Sequence, residues 1–259
     1  MKILFISRKT PNTDARFNAL TRAGHEVDFL NSDRLFPFPS RALRLFLTMS
    51  FGAFIVDIMA RYALKRELKL SPNYSLVFMN QCVALGPLSV SWLQSEIGKT
   101  LNYVNDDPFG NSSYWRWRNF LKTVPLLDLL VIVRPQNIEE AKQWGARHVH
   151  RVYMAADSIL HKALKETPED RLQWGAKVAF IGSYFPERGP FLAKLVKCGV
   201  PLAIYGPDWD RAPEWELLKP YFRKGRVLGD DYVKAIQYAD ICLGLLSKQN
   251  RDAHTTRDI

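Results

Sequence analysis

The chain has 259 residues, a formal charge of +10 from 36 Lys and Arg against 26 Asp and Glu, and 47% hydrophobic against 24% charged residues. That length holds one large domain or two modest ones, and the composition excludes wholesale disorder and a coiled coil. The three cysteines, Cys82, Cys198 and Cys242, form no CxxC pair, which argues against a disulfide framework or a structural zinc site and for a reducing compartment.

The first strand is expected at Lys2–Ile6 (KILFI), whose apolar run is too short for a signal-peptide core. A helix over Asp14–Ala23 follows, stopped by Gly24, then a strand at Glu26–Leu30. The apolar segment Leu45–Val56, bounded by Arg44 and Asp57, has the length of a buried helix and falls short of the ~18 residues that cross a bilayer. Strands at Ser75–Met79, Leu101–Val104, Leu129–Val133 and Val149–Tyr153 alternate with helices at Leu88–Ile97, Tyr114–Lys122 and Asn137–Trp144. Asn137 reads as an N-cap with Glu140 three residues on, and Gly145 as the stop.

The polar segment Ala155–Gly175 reads as a linker. A second series then runs through strands at Lys177–Gly182, Leu202–Tyr205, Arg226–Leu228 and Ile241–Leu246, with helices at Gly189–Lys197 and Asp231–Tyr238. Val-, Ile- and Leu-rich strands without polar alternation are buried on both faces, as in parallel sheets covered by helices. The expectation is two doubly wound α/β units, residues 1–155 and 156–259, with ligands taken at the carboxyl ends of the strands, in a cleft between the units.

There is no GxxxxGK[ST] loop, GxGxxG fingerprint, GxSxG elbow or HExxH pair. His148 and His150 read as surface or core residues rather than metal ligands. Gly182-Ser183 and Gly206-Pro207 each follow a strand directly. Such glycines are turn residues, or they let a phosphate approach the backbone beside a helix N-terminus, where Arg188 would pair with a diphosphate. Asp106-Asp107 follows the strand ending at Val104. The pair serves as a general base or sugar anchor, or forms an Asx turn into the next helix. Trp115 and Trp117 nearby stack on a sugar or fill the core. Asp208-Trp209-Asp210 matches a DxD metal motif in letters only and reads as a loop feature.

The strings Tyr103-Val104-Asn105-Asp106-Asp107-Pro108, Phe180–Arg188 (FIGSYFPER) and Ile204–Trp209 (IYGPDW) resemble the CgeB-type (spore maturation) glycosyltransferases, as does Tyr238-Ala239-Asp240-Ile241 followed by Asn250, His254, Thr256 and Arg257. These group 1 glycosyltransferases have the GT-B architecture of two Rossmann-like domains. The resemblance covers the whole chain and is strongest over 177–259. It implies sugar transfer from a nucleotide-sugar donor to a glycan, lipid-linked or protein acceptor, without a cofactor or metal. Gly182, Ser183 and Arg188 would touch the diphosphate, Tyr205 and Gly206 the nucleotide, and Asn250, His254, Thr256 and Arg257 the sugar-phosphate side. Asp106 or Asp107 would face the acceptor. The family continues past Arg257 into a stretch whose glutamate grips the donor ribose. The chain ends at Ile259 before it, so an incomplete second domain is expected.

The alternative to a glycosyltransferase is a non-catalytic nucleotide- or sugar-binding module, or an inactive truncated transferase. Nucleic acid is not an expected partner, since no recognition module accompanies the charge. A cytoplasmic location is expected. Arg41, Arg44, Arg61, Lys65 and Arg66 around segment 45–56 make peripheral contact with the inner face of the membrane a further expectation, set against an ordinary helix packed on the first sheet.

Overall fold

The structure is a computed structural model describing residues 1–36, 40–49, 51–68, 73–110, 114–246, 248 and 251–252. The chain divides into two compact units, Met1–Met154 and Ala155–Ile259. Every strand pairing in both is parallel.

The first unit runs β1 (Lys2–Ser7), α1 (Pro11–Arg22), β2 (Glu26–Asn31), α2 (Ser40–Thr48), α3 (Gly52–Glu67), β3 (Leu76–Asn80), α4 (Pro87–Glu96), β4 (Lys99–Val104), α5 (Tyr114–Thr123), β5 (Leu129–Ile132), α6 (Gln136–Gln143) and β6 (Val149–Arg151). The sheet order is β2-β1-β3-β4-β5-β6. Successive residues of a strand face opposite ways. Leu4 and Ile6 therefore enter a core with Leu64, Leu93 and Phe120, while Phe5 meets Phe17 of α1 at 6.4 Å and Phe78 at 5.2 Å between ring centroids. Helix α1 starts earlier than expected because Thr10 caps the Thr13 N–H and Pro11 fits the first turn. It stops before Gly24, where φ is +83°.

The apolar segment 45–56 is not one buried helix. It breaks into α2 and α3 at Gly52, where any Cβ would overlap the Phe46 carbonyl, so the two helices cross at backbone contact. The buried face of α3 carries Asp57, 2% exposed. Its carboxylate accepts from the backbone N–H groups of Gly86 (2.9 Å), Leu88 (2.8 Å) and Ser89 (3.1 Å) and from the Ser89 hydroxyl (2.6 Å). Gly86, the N-cap of α4, has no side chain to do this, so α3 supplies the cap and the negative charge at the helix start.

Asn137 is not the cap of α6. Pro135 holds that place, and Asn137 lies buried in the first turn with its amide bonded to Asp107 (3.0 Å) and Glu140 (2.8 Å).

The second unit runs α7 (Pro168–Trp174), β7 (Ala176–Ile181), α8 (Arg188–Lys197), β8 (Leu202–Tyr205), α9 (Trp215–Leu218), β9 (Phe222–Lys224), α10 (Asp230–Gln237) and β10 (Ala239–Leu243), with sheet order β10-β7-β8-β9. Phe180 and Ile204 pack with Leu192 and Trp209, and Ala179 and Tyr205 pack on the other side with Trp174 and Ala235. The expected linker holds α7, because Thr167 caps the Asp170 N–H and Trp174 is buried. The strand expected at 226–228 is instead β9 at 222–224. Phe222 packs on Trp215 at 5.4 Å and pairs with Ile204, whereas Val227 is buried without being part of a strand.

Removing the Asp57 carboxylate leaves the Gly86, Leu88 and Ser89 backbone donors without their acceptor, while the Ser89 hydroxyl keeps the Asp57 carbonyl at 3.2 Å. Asp57→Ala is expected to lower unfolding free energy by about 3 kcal/mol. Urea denaturation measures this, and a loss under about 1 kcal/mol would show that water replaces the cap.

Candidate functional site

Each unit gathers its polar residues where its strands end. In the first unit the sheet order reverses at β1, next to β3, the topological switch point at which open α/β sheets take ligands. Ser7 ends β1 and Asn80 ends β3, and the Asn80 amide donates to the Ser7 hydroxyl at 2.7 Å. Arg16 of α1 donates to the Asn80 side-chain oxygen at 3.2 Å and lies over the Tyr103 ring at 4.6 Å. Gln81 follows at φ +54°, a left-handed backbone that a non-glycine residue adopts at a cost. Its side-chain amide donates to Asp106 at 2.5 Å, and Arg116 of α5 donates to the same oxygen at 2.9 Å.

The two adjacent aspartates have different surroundings. Asp107 is 3% exposed, and one of its oxygens accepts from the Phe109 and Gly110 N–H groups, both at 3.2 Å, and from Asn137 at 3.0 Å. Arg134, two residues after β5, fixes the same loop through the Asn105 carbonyl at 2.7 Å. Asp106, with 29% of its side chain exposed, is held by Arg116 and Gln81 through Oδ2 alone, so Oδ1 carries no hydrogen bond among the described residues. The Asx turn and the accessible carboxylate are thus both present, one on each residue. Trp117 is buried in the core, with the Arg116 guanidinium 4.7 Å from its ring centre. Trp115 packs beside Leu47, Ala53 and Val56.

In the second unit, Gly182 and Gly206 close β7 and β8 and press together. A Cβ on Gly206, at φ +134°, would land on the Gly182 carbonyl oxygen. Trp209 donates its indole N–H to that oxygen at 2.9 Å and is 1% exposed. The tryptophan of the DWD string thus ties the two strand ends, while the Asp208 and Asp210 side chains lie exposed beside it. Arg188 begins α8 and is 8% exposed. Its guanidinium donates to the Ser183 carbonyl at 2.9 Å and the Leu245 carbonyl at 3.1 Å, and lies 4.5 Å from the Phe185 ring centre. It therefore clamps the loop after β7 to the segment after β10. Ser183 is half-buried beside the start of α8.

Tyr205 is buried in the core, stacked on Trp174 at 5.8 Å, with a hydroxyl that has no partner among the described residues. Burial pushes its pKa above the ordinary phenol value, and Arg223 partly opposes the shift. Asn250, His254, Thr256 and Arg257 lie outside the described residues. Sequence reasoning passed over Ser7, Arg16, Asn80, Gln81 and Arg116, which come from β1, α1, β3 and α5 and meet only in the fold. It also passed over Glu214, whose carboxylate lies against Gly189 in the first turn of α8, where the helix dipole favours negative charge. Only the strand-end positions of Ser7 and Asn80 signalled them.

No family model matches the sequence, and no curated protein matches it. Solved structures do. HepE of Anabaena, determined in complex with UDP and glucose, aligns over 93% of this chain and 73% of its own at a TM-score of 0.57 and 15% identity. UDP-N-acetylglucosamine 2-epimerase of Rickettsia bellii aligns over the same shares at a TM-score of 0.61 and 11% identity. A trehalose-phosphate synthase of Burkholderia vietnamiensis aligns over 91% of this chain and 76% of its own at 0.54 and 10%. The fold these proteins share is GT-B, and this chain has it. Identities this low establish fold alone.

The Arg188 clamp has a measurable consequence. Arg188→Met should cost about 1–3 kcal/mol by leaving two half-buried carbonyls without their charged donor. Hydrogen exchange should accelerate at 182–187 and 244–246 and stay unchanged throughout the first unit. Uniform acceleration across both units would contradict a local clamp.

Proposed function

We propose that the chain is a glycosyltransferase of the CgeB type, moving a sugar from a nucleotide-diphosphate-sugar to an acceptor hydroxyl in glycan or cell-surface polysaccharide modification. The acceptor class is a glycan, a lipid-linked sugar or a protein. The observation that carries this reading is the division of the two aspartates, one buried as a loop cap and one, at the end of the strand next to the switch point, with a carboxylate oxygen that takes no hydrogen bond from the described residues. A general base needs an oxygen within reach of the proton it removes. Asp106 Oδ1 meets that need, while the Arg116 and Gln81 bonds hold the group in one orientation.

In the proposed reaction the acceptor hydroxyl gives its proton to Asp106 as its oxygen bonds to the anomeric carbon. The bond from that carbon to the diphosphate breaks, and the nucleoside diphosphate departs with the electron pair. The donor is assigned to the strand ends at Gly182, Ser183 and Gly206, beside the start of α8, on the resemblance. Arg188 acts there by positioning the Ser183 loop. Tyr205 supports the wall from the core, and Asn250, His254, Thr256 and Arg257 are assigned to the sugar-phosphate side on the resemblance alone. The reaction is proposed to need no metal or cofactor, and the enzyme is proposed to be cytoplasmic.

A second reading, a binding module without turnover, draws on Arg188, whose guanidinium donates to the Ser183 and Leu245 carbonyls of the protein itself. Calorimetry with UDP, GDP and dTDP followed by a turnover assay separates the two. Asp106→Asn should leave nucleotide affinity within a factor of about two and reduce transfer by about 10²–10⁴. EDTA should leave transfer unchanged. Transfer that survives Asp106→Asn would remove the base assignment, and nucleotide binding without turnover by the unmodified chain would favour the module.

A further inference from the structure

Helix α3 has two apolar faces. Ala53, Val56, Ala60, Ala63 and Leu64 are buried in the first unit. Phe51, Phe54, Ile55, Ile58 and Tyr62 are 79%, 56%, 42%, 45% and 71% exposed. At 100° per residue these five fall within one arc of about 100°, opposite the buried face. Leu45 and Met49, at the end of α2, add two more exposed apolar side chains. A soluble surface scatters such residues singly, and a row of them marks a contact face.

The charges in this stretch of the sequence are one-sided. Residues 34–68 contain Arg34, Arg41, Arg44, Arg61, Lys65 and Arg66 against Asp57 and Glu67. Asp57 is spent on the start of α4, and Glu67 pairs with Arg66 at 3.0 Å. Lys65 lies 6.0 Å from the Trp92 ring centre. Residues 1–150 as a whole hold 19 Lys and Arg against 12 Asp and Glu. Beside the row lies a cavity of about 480 Å³, lined by Leu35, Ile58, Met59, Tyr62 and Ala63, with Arg34 and Arg66 in its wall. An apolar recess bordered by two guanidinium groups fits an acyl chain with an anionic head.

We propose that this face of the first unit docks on the surface of a bilayer rich in anionic lipid. Phe51, Phe54, Ile58 and Tyr62 enter the boundary between headgroups and chains, and the basic residues bind the headgroups. A second copy of the chain fits poorly, since self-association through this face would set Arg34, Lys65 and Arg66 of one copy near those of the other. No helix among the described residues is long and apolar enough to cross a membrane, so the contact is with the surface. The face is rigid because Asp57 pins the opposite side of α3 to α4. The inference stands whether or not the chain transfers sugar.

Flotation of the whole chain with vesicles tests it, using phosphatidylcholine alone and phosphatidylcholine with about one third phosphatidylglycerol. The chain should float with the anionic vesicles at least tenfold more than with the neutral ones, and less in 0.5 M salt as the headgroup attraction is screened (about 8–10 Å Debye length at 0.1–0.15 M, about 3 Å at 1 M). Phe54→Asp with Ile58→Asp should abolish flotation, and Arg34→Glu with Arg66→Glu should reduce it at least tenfold. Both variants should keep the circular dichroism and melting temperature of the parent, since all four side chains are at the surface. No flotation of the parent overturns the proposal, as does flotation insensitive to both variants. A dimer in sedimentation that Phe54→Asp with Ile58→Asp converts to monomer, without vesicle binding by the parent, assigns the face to a second copy and also overturns it.

Discussion

Parallel strands impose one constraint on both units. The central strands are buried on both faces, so β1 and β8 are filled almost wholly with apolar side chains. Backbone donors and acceptors are used up within the ladder. What remains for chemistry is the short stretch after each strand, where the chain turns towards a helix and side chains regain access to solvent. Ser7, Asn80, Gln81 and Asp106 in the first unit, and Gly182, Ser183 and Gly206 in the second, all lie at such positions. The rest of the structure serves to hold these stretches still.

The two units hold them by different means. In the first, the loop after β4 is fixed by Asp107, Asn137 and Arg134, which lie buried beneath it, so that Asp106 is offered from a rigid backbone. The neighbouring residues Arg116 and Gln81 then load one oxygen of Asp106 and leave the other. In the second unit the hold is closer to the backbone itself. Gly206 against Gly182 allows an approach that no other residue permits, Trp209 locks it, and Arg188 reaches to two further carbonyls. A buried guanidinium with a carbonyl partner on each terminal nitrogen acts as a clamp between the two segments.

The strands and most helices were legible because burial on two faces gives continuous apolar runs, and helices give a 3.6-residue period. Two helices that cross at Gly52 could not be told from a single apolar run, since what breaks the run is the Phe46 carbonyl above that glycine. The cap role of Asn137 failed for a related reason. Its letters fit a capping box, but the helix already begins at Gln136, which places Asn137 inside the first turn, where its NH2 donates to Asp107, thirty residues earlier. The row on α3 was visible only as hydrophobicity. Nothing in the letters distinguishes Phe54, which is exposed, from Val56, which is not.

The sequence by itself determined the α/β class, the division near residue 155 as an expectation, the strand-end glycines and the Asp106-Asp107 pair. Those features are local: periodicity and turn chemistry are written within a few residues of each other. Which aspartate stays accessible, that Arg188 faces carbonyls, that Asp57 caps another helix, and that the switch point assembles Ser7, Arg16, Asn80 and Gln81 were decided only by the tertiary structure. Each depends on groups tens of residues apart meeting within hydrogen-bond distance, and such meetings follow from the order of strands in the sheet rather than from the order of residues in the chain.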